Sequence, residues 1–299
     1  MDEKKRIPLL TIALIITALV FAVALIFMTL LSMPRILEQE ENLNEQLAVN
    51  PTQAPTEAPT RAPTEPEPTL PPPEENPFDR LDFQYEGRYL KLIEGRSVIG
   101  IDVSRWQQTI DWEQVKASGV EFAMIRLGYR GYEEGGLNVD NYATEYLEGA
   151  IAAGLDVGVY FFSQALTPEE AAREAAWCVT FLENTELEMP LVFDWEHVES
   201  AEARTAGFED GPLLTACAKS FCDVVSAAGY EPMVYFNVYQ AKDLYDLTAL
   251  GDYGFWLAQY VDGLDYPHAV DLWQYTESGE VDGIQGRVDL NLWLERVEE

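Results

Sequence analysis

Between residues 98 and 236 short apolar runs alternate with segments of helical spacing, and this alternation restricts what the chain can fold into more than any other feature. Val98-Ile99-Gly100-Ile101-Asp102-Val103 reads as a strand, followed by a helix near 112–118 that stops at Gly119. Phe122–Leu127 is the next strand, residues 140–153 have helical spacing and stop at Gly154, and Val157–Phe162 is again an apolar run. Thr167-Pro168-Glu169-Glu170 supplies a cap, an N1 proline and early acidic residues, so it opens a helix that reaches about residue 184. A strand at 190–196, a helix near 212–228 ending at Gly229 and a strand at 232–236 continue the series. Beyond 237 the helices shrink, and residues 255–258, 270–275 and 288–291 read as strands joined mainly by Gly-rich turns. Repeated strand–helix alternation points to a parallel sheet with helices outside. The expected fold class is α/β, a TIM-like (β/α)5β3 barrel with about five full strand–helix units and about three further strands.

In such a barrel the chemistry sits where strands end, and Asp102, Tyr160, Asp194, Glu196, Tyr235, Trp256, Gln274 and Asp289 all fall at such positions. The densest signal is Pro190-Leu191-Val192-Phe193-Asp194-Trp195-Glu196, an apolar run ending in two carboxylates. Side chains two apart in a strand share a face, which sets Asp194 and Glu196 together with roughly 6.6 Å between their Cα atoms. Glycoside hydrolysis uses such a pair, one member protonating the leaving oxygen and the other acting as base, nucleophile or charge stabiliser. A polar strand end running into solvent has the same spacing. The recurrence of polar and aromatic residues at successive strand ends weighs against that simpler account.

The ends of the chain read differently from its middle. Residues 7–33 contain no charged side chain, long enough to cross a bilayer with some tilt, and Lys4-Lys5-Arg6 precedes them. The run is longer than the apolar region of a cleavable signal, so it reads as an uncleaved transmembrane anchor with residues 1–6 cytoplasmic and everything after 33 outside. Residues 51–73, PTQAPTEAPTRAPTEPEPTLPPP, have almost no large apolar side chains and cannot offset their ordering entropy. They form a polyproline-type stalk of about 70 Å if fully extended. The expected organisation is a cytoplasmic N-terminus 1–6, an anchor 7–33, a Pro/Thr/Glu-rich linker 34–84 and one folded domain 85–299, with the domain monomeric and extracellular on a single-pass membrane protein.

Charge and cysteine usage exclude several classes. A formal charge of -33 repels nucleic acid and anionic lipid surfaces. Three cysteines, Cys178, Cys217 and Cys222, are too few and of the wrong parity for a disulfide framework, and read as buried thiols. With only His197 and His268 there is no zinc-type spacing and little room for a serine triad, so no metal or other cofactor is expected.

The motifs resemble the N,O-diacetylmuramidase lysozymes of glycoside hydrolase family 25. The resemblance rests on Gly100-Ile101-Asp102-Val103-Ser104, Trp106-Gln107, Ile110-Asp111-Trp112, Phe122–Arg126, Gly158–Phe162, Asp194-Trp195-Glu196, Trp256–Tyr260, Trp273-Gln274-Tyr275 and Val288–Asn291, in order over about 190 residues. It implies a flattened barrel that cleaves the β-1,4 bond between N-acetylmuramic acid and N-acetylglucosamine in peptidoglycan. It also implies Glu196 as general acid, with Asp194, Asp102 and Asp289 completing an acidic cluster. Trp106, Tyr160, Tyr235 and Trp256 are then the expected sugar contacts, with Gln274 beside them; for the aromatic residues core packing is the competing role. Gln108 replaces a common Gly, and Phe161 stands where many members carry His, a change expected to alter sugar contacts. A non-catalytic wall-binding scaffold and a glycosidase for another amino-sugar polymer are the alternative functions.

Overall fold

Each apolar run of the alternating region becomes a strand of one closed barrel. A computed structural model of the chain describes residues 72–183 and 185–294. The expected cytoplasmic segment, the anchor 7–33 and linker residues 34–71 lie outside the described residues, among which no helix is long and apolar enough to cross a membrane.

A hairpin of β1 (Phe83–Glu86) and β2 (Tyr89–Leu92) leads into β3 (Ser97–Val103). Helix α1 (Trp112–Ala117), β4 (Phe122–Arg130), the short β5 (Leu137–Val139), α2 (Ala143–Ala152), β6 (Asp156–Ser163) and α3 (Pro168–Leu182) follow. Next come β7 (Leu191–Trp195), α4 (Gly211–Ala227), β8 (Pro232–Asn237) and the six-residue α5 (Val238–Asp243). The last three strands, β9 (Gly254–Ala258), β10 (Leu272–Gly279) and β11 (Val288–Leu294), have no helix between them. The barrel order is β3, β4, β6, β7, β8, β9, β10, β11, closing back onto β3. Along the barrel the strands β3, β4, β6, β7, β8, β9 and β10 are parallel to one another, and β11 runs antiparallel to both β10 and β3. The fold is therefore mixed α/β with an eight-stranded closed barrel, β5 being an extra strand on β4.

Local signals account for the helix limits. The Thr167 side chain accepts from the Glu170 amide at 3.2 Å and Pro168 follows it, while Asp210 does the same for the Leu213 amide at 3.0 Å ahead of α4. Helix α4 stops where Gly229 adopts a φ of 88°, a left-handed conformation that side chains disfavour.

Strand parity then makes two apolar layers. Outward residues such as Ile101, Val159, Phe193 and Phe236 meet the helices, with Phe193 against Phe221 of α4 at 5.2 Å between ring centroids. Inward residues Val98, Phe122, Met124, Val192, Met233 and Leu272 fill the lower barrel. Gly100 makes this possible, because a Cβ there would lie 2.1 Å from the Phe122 ring. Above this plug the inward positions turn polar.

The segment before the hairpin lies against the barrel. The Glu74 carbonyl accepts from Ala269 at 2.9 Å, and Asn76 donates its amide to the Pro267 carbonyl at 3.0 Å. Pro72 and Pro73 sit beside Thr248 and Asp252, so this segment meets the domain where β9 and β10 begin. Cys178, Cys217 and Cys222 are buried free thiols.

Candidate active site

The inward residues near the upper strand ends converge. Asp102 on β3, Tyr160 on β6, Asp194 on β7, Tyr235 on β8, Trp256 on β9, Gln274 on β10 and Asp289 on β11 line one cleft of about 590 Å³. Glu196, one residue beyond β7, and Trp106, in a 3-10 turn after β3, complete its wall. Because β11 is antiparallel, its first residues lie at the same end as the last residues of β3, and Asp289 stands directly opposite Asp102.

Asp102 is the centre of a hydrogen-bond network. Its Oδ2 accepts from Gln274 Nε2 and from Asn291 Nδ2, both at 2.8 Å. Asn291 Oδ1 in turn accepts from Trp256 Nε1 at 2.9 Å, and Gln274 Oε1 accepts from Tyr260 Oη at 3.0 Å and Tyr235 Oη at 3.3 Å. Trp256 is only 1% exposed and packs edge-on against Tyr160 and Tyr235, so it forms the floor beneath the carboxylates. Trp106, at 70% exposed, is the most exposed of the aromatic residues lining the cleft, with Tyr260 and Tyr132 also exposed at the rim. Asp194 is buried and its Oδ1 has no hydrogen-bond partner among the described residues.

Burial raises all four carboxyls above the ordinary carboxylate range. Glu196 is pushed up to about 7 by burial and then by the charge of Asp102. Asp194 is raised well above its usual value by burial and by the charges of Glu196 and Asp102, with Arg126 opposing. Asp289 is lifted to about 9 by burial and by Asp102, to which it is hydrogen-bonded. Asp102 is raised by burial, while its bonds from Asn291, Gln274 and Asp289 work the other way. Burial thus favours a shared proton between Asp289 and Asp102 over two facing charges.

Stability against pH follows with a definite sign. Unfolded carboxyls lose their protons near pH 4, whereas these folded ones hold theirs towards pH 7 for Glu196 and pH 9 for Asp289. Through that window the native state binds more protons than the unfolded state, so stability falls as pH rises. Calorimetric melting temperatures are expected to drop steadily from pH 5 to pH 9, and Asp289→Asn to flatten the upper part of that decline.

The strand end bearing Asp194 and Glu196 is clamped through its backbone. Gln164, fully buried after β6, donates Nε2 to the Glu196 carbonyl at 2.7 Å and accepts from Thr205 Oγ1 at 2.6 Å. Gln240 of α5 donates to the Trp195 carbonyl at 2.5 Å, and Trp195 Nε1 binds the Ala165 carbonyl at 3.1 Å. Gln164→Leu deletes one side of the clamp. Since a misplacement of an ångström costs a catalyst roughly 10²-fold, kcat is expected to fall by about that factor with KM little changed, as steady-state kinetics would read.

Several of these partners escape sequence reasoning. Gln164, Gln240 and Asn291 are amides whose role depends on contacts 32, 45 and 189 residues away. Arg126 was legible in principle, as a charged residue inside the apolar run Phe122–Leu127, and it pairs with Asp140 at 2.7 Å beside the cleft. Phe161 corrects an expectation. It points outward, fully buried against Trp177 of α3 at 5.5 Å, and the half-buried Phe162 is the neighbour that lines the cleft, so Phe161 does not touch a ligand there. His197 is exposed, hydrogen-bonded to the Phe208 carbonyl at 2.9 Å and edge-on to Trp195. Among the described residues no group of His, Cys, Asp and Glu is arranged to hold a metal ion.

Comparison with known proteins adds the family. Residues 101–284 match the family described as glycosyl hydrolases family 25. The chain is 29% identical over 218 residues to the protein YegX of Escherichia coli (strain K12), covering 70% of this chain and 74% of that one. It is 28% identical over 202 residues to the autolytic lysozyme of Clostridium acetobutylicum, covering 66% of this chain and 56% of that enzyme. The modular autolysin LytC of Streptococcus pneumoniae, solved with a synthetic peptidoglycan ligand, superposes with a TM-score of 0.58 at 24% identity over 66% of this chain. This chain spans about half the length of that autolysin, 47% of it. The matched residues take in more than half of the chain, from β3 to the loop before β11, and with them Asp102, Asp194 and Glu196: the chain belongs to glycosyl hydrolases family 25.

Proposed function

We propose that this chain is a peptidoglycan-hydrolysing lysozyme, a muramidase that cleaves the β-1,4 bond between N-acetylmuramic acid and N-acetylglucosamine. The observation that carries this reading is Glu196, a carboxyl held protonated up to about pH 7 beside the buried Asp194. Protonated Glu196 donates to the glycosidic oxygen as the C–O bond breaks. The proton leaves a site ringed by Asp102, Asp194 and Asp289, and the resulting negative charge stabilises the positive charge developing at the sugar carbon. Glu196, now ionised, takes a proton from the incoming water in the second half of the reaction.

Asp194 acts on the other side of that carbon. Its Oδ1, unpartnered among the described residues, suits direct attack on carbon once the carboxyl is ionised, or acceptance of the N–H of the substrate's own acetamido group. A 2-fluoro sugar that labels Asp194 marks the first route, and strong inhibition by a thiazoline mimic marks the second. Trp106 offers its open face to a sugar ring at the rim, while Tyr160, Tyr235 and Gln274 shape the inner cleft.

The barrel reads as a TIM-like (β/α)5β3 variant, in which β3, β4, β6, β7 and β8 each precede a helix and β9 to β11 do not. The folded domain covers residues 85–299, and the preceding segment near residues 74–76 bonds to the β9–β10 connection. Residues 7–33 anchor it in the cell membrane as a single span, with the domain outside on its Pro/Thr stalk. Protease added to intact cells should release the domain; protection until lysis would overturn that orientation.

The activity is tested by incubating the full-length protein with purified peptidoglycan and identifying the new reducing ends. Muramic acid ends support the reading. Glucosamine ends would make the chain a glucosaminidase, and no release would favour a wall-binding scaffold.

A further inference from the structure

Three arginines line the cleft, and they differ in their partners. Arg126 is paired with Asp140 at 2.7 Å and Arg130 with Glu174 at 2.5 Å. The Arg105 guanidinium has no carboxylate within ion-pair distance among the described residues. It lies over two aromatic rings instead, 4.8 Å from the centroid of Trp106 and 5.0 Å from that of Tyr129, and its Nη1 donates to Tyr129 Oη at 3.0 Å. Its backbone is fixed as well, because the Arg105 amide donates to Asp140 Oδ2 at 3.1 Å.

This arrangement is not explained by a shortage of acids. The chain's formal charge is -33, and Asp102, Asp194, Glu196, Glu277 and Asp289 share the cleft with Arg105. Holding the guanidinium of the partly exposed Arg105 against two rings restrains its plane, and one bond to Tyr129 leaves most of its five N–H donors without a partner among the described residues. Neutral sugar hydroxyls have no need of a fixed cation. A planar fork of donors matches a carboxylate, to which it binds bidentately. On a peptidoglycan strand the carboxylates belong to the muramic acid residue, either in its peptide stem or on the lactyl group once the stem has been removed.

We propose that Arg105 is a specificity-determining residue that receives a carboxylate carried on the muramic acid side chain of the substrate. The assignment rests on the muramidase reading above. It makes the cleft a reader of the muramic substituent as well as of the glycan, with the surrounding acids disfavouring any anion that Arg105 does not meet.

The test compares wild type, Arg105→Gln and Arg105→Lys on three substrates: peptidoglycan strands with stems, strands stripped by an amidase to free lactyl carboxylates, and stripped strands whose lactyl groups are capped as amides. Arg105→Gln removes one charge-assisted pairing with the ligand, and is expected to raise KM about tenfold on a carboxylate-bearing strand relative to the capped strand, with kcat held. Arg105→Lys keeps the charge without the fork, and should recover part of that affinity. A weakening confined to stem-bearing strands identifies the stem as the source, and one confined to free lactyl strands identifies the lactyl group. Equal weakening on all three strands, or none on any, overturns the proposal while leaving the muramidase reading in place. Absence of reducing ends with wild type on all three would bring down both. Melting temperatures near that of wild type exclude misfolding as the cause of a uniform effect.

Discussion

Glu196→Gln is expected to lower kcat on peptidoglycan by roughly 10²- to 10⁴-fold, the range that a positioned general acid contributes. The substitution keeps the shape of the side chain and the backbone clamp from Gln164 and Gln240, and removes only the transferable proton. Its effect on stability should run the opposite way from its effect on activity. Glu196 is raised to about 7 by burial and by Asp102, so at pH 8 the native state carries an ionised carboxyl in an unfavourable place. A neutral amide relieves that cost, and the variant should melt no lower than wild type at pH 8. The wild-type pH–rate profile belongs to the same argument. A donor that loses its proton near pH 7 gives a falling alkaline limb, and the limb should be absent from the residual activity of the variant. Near-normal turnover in Glu196→Gln, with an unchanged alkaline limb, would mean that another group supplies the proton.

The second large effect is on folding. Arg130 at the end of β4 donates Nε to Glu174 of α3 at 2.5 Å, Nη1 to the Gly135 carbonyl at 2.7 Å and Nη2 to the Glu170 carbonyl at 3.0 Å. Glu174 also accepts from Ser163 Oγ of β6 at 2.6 Å and is completely buried. One ion pair thus joins two barrel strands, a helix and the loop after β4. Burial lifts Glu174 to about 7 against the charge of Arg130, so desolvation outweighs attraction and the balance already leans against the ionised carboxyl. Removing one partner upsets that balance. Arg130→Met is expected to cost about 3–5 kcal/mol, and the melting temperature roughly 6–20 °C, because Glu174 is left buried without its cation. The double variant Arg130→Met with Glu174→Leu should recover much of the stability, since neither charge then needs compensation. Thermal melts of the two variants decide the matter: a single variant as stable as wild type would show that the pair contributes little.

Legibility in the sequence varied with the range of the interaction. Apolar runs such as Phe122–Leu127 and Val157–Phe162 announced strands because burial on both faces leaves no polar alternation to misread. The helix start at Thr167 carried its own cap, and the structure adds Asp210 as the cap of α4. The β1–β2 hairpin and the short β5 have no comparable signal, and both are small elements that owe their order to the barrel they lie on. Phe83 packs edge-on against Trp273 at 5.1 Å, and the Leu90 amide reaches Tyr275 Oη at 3.4 Å. Phe161 and Phe162 could not be told apart by composition. A register shift on β4 between Arg126 and Gly128, opposite β6, shows how one irregular residue resets which neighbours meet.

The sequence by itself determined the alternation of strands and helices and the identity of the acidic residues at the strand ends, because both are written in periodicities of two and 3.6 residues that span only a few positions. Only the tertiary structure decided that β11 runs antiparallel and so sets Asp289 against Asp102, that burial raises both of those carboxyls, and which cleft arginine stands without a carboxylate partner among the described residues. Those properties depend on burial and on partners tens to nearly two hundred residues away, and burial is what raises the affinity of a carboxyl for its proton. They exist once the barrel has closed.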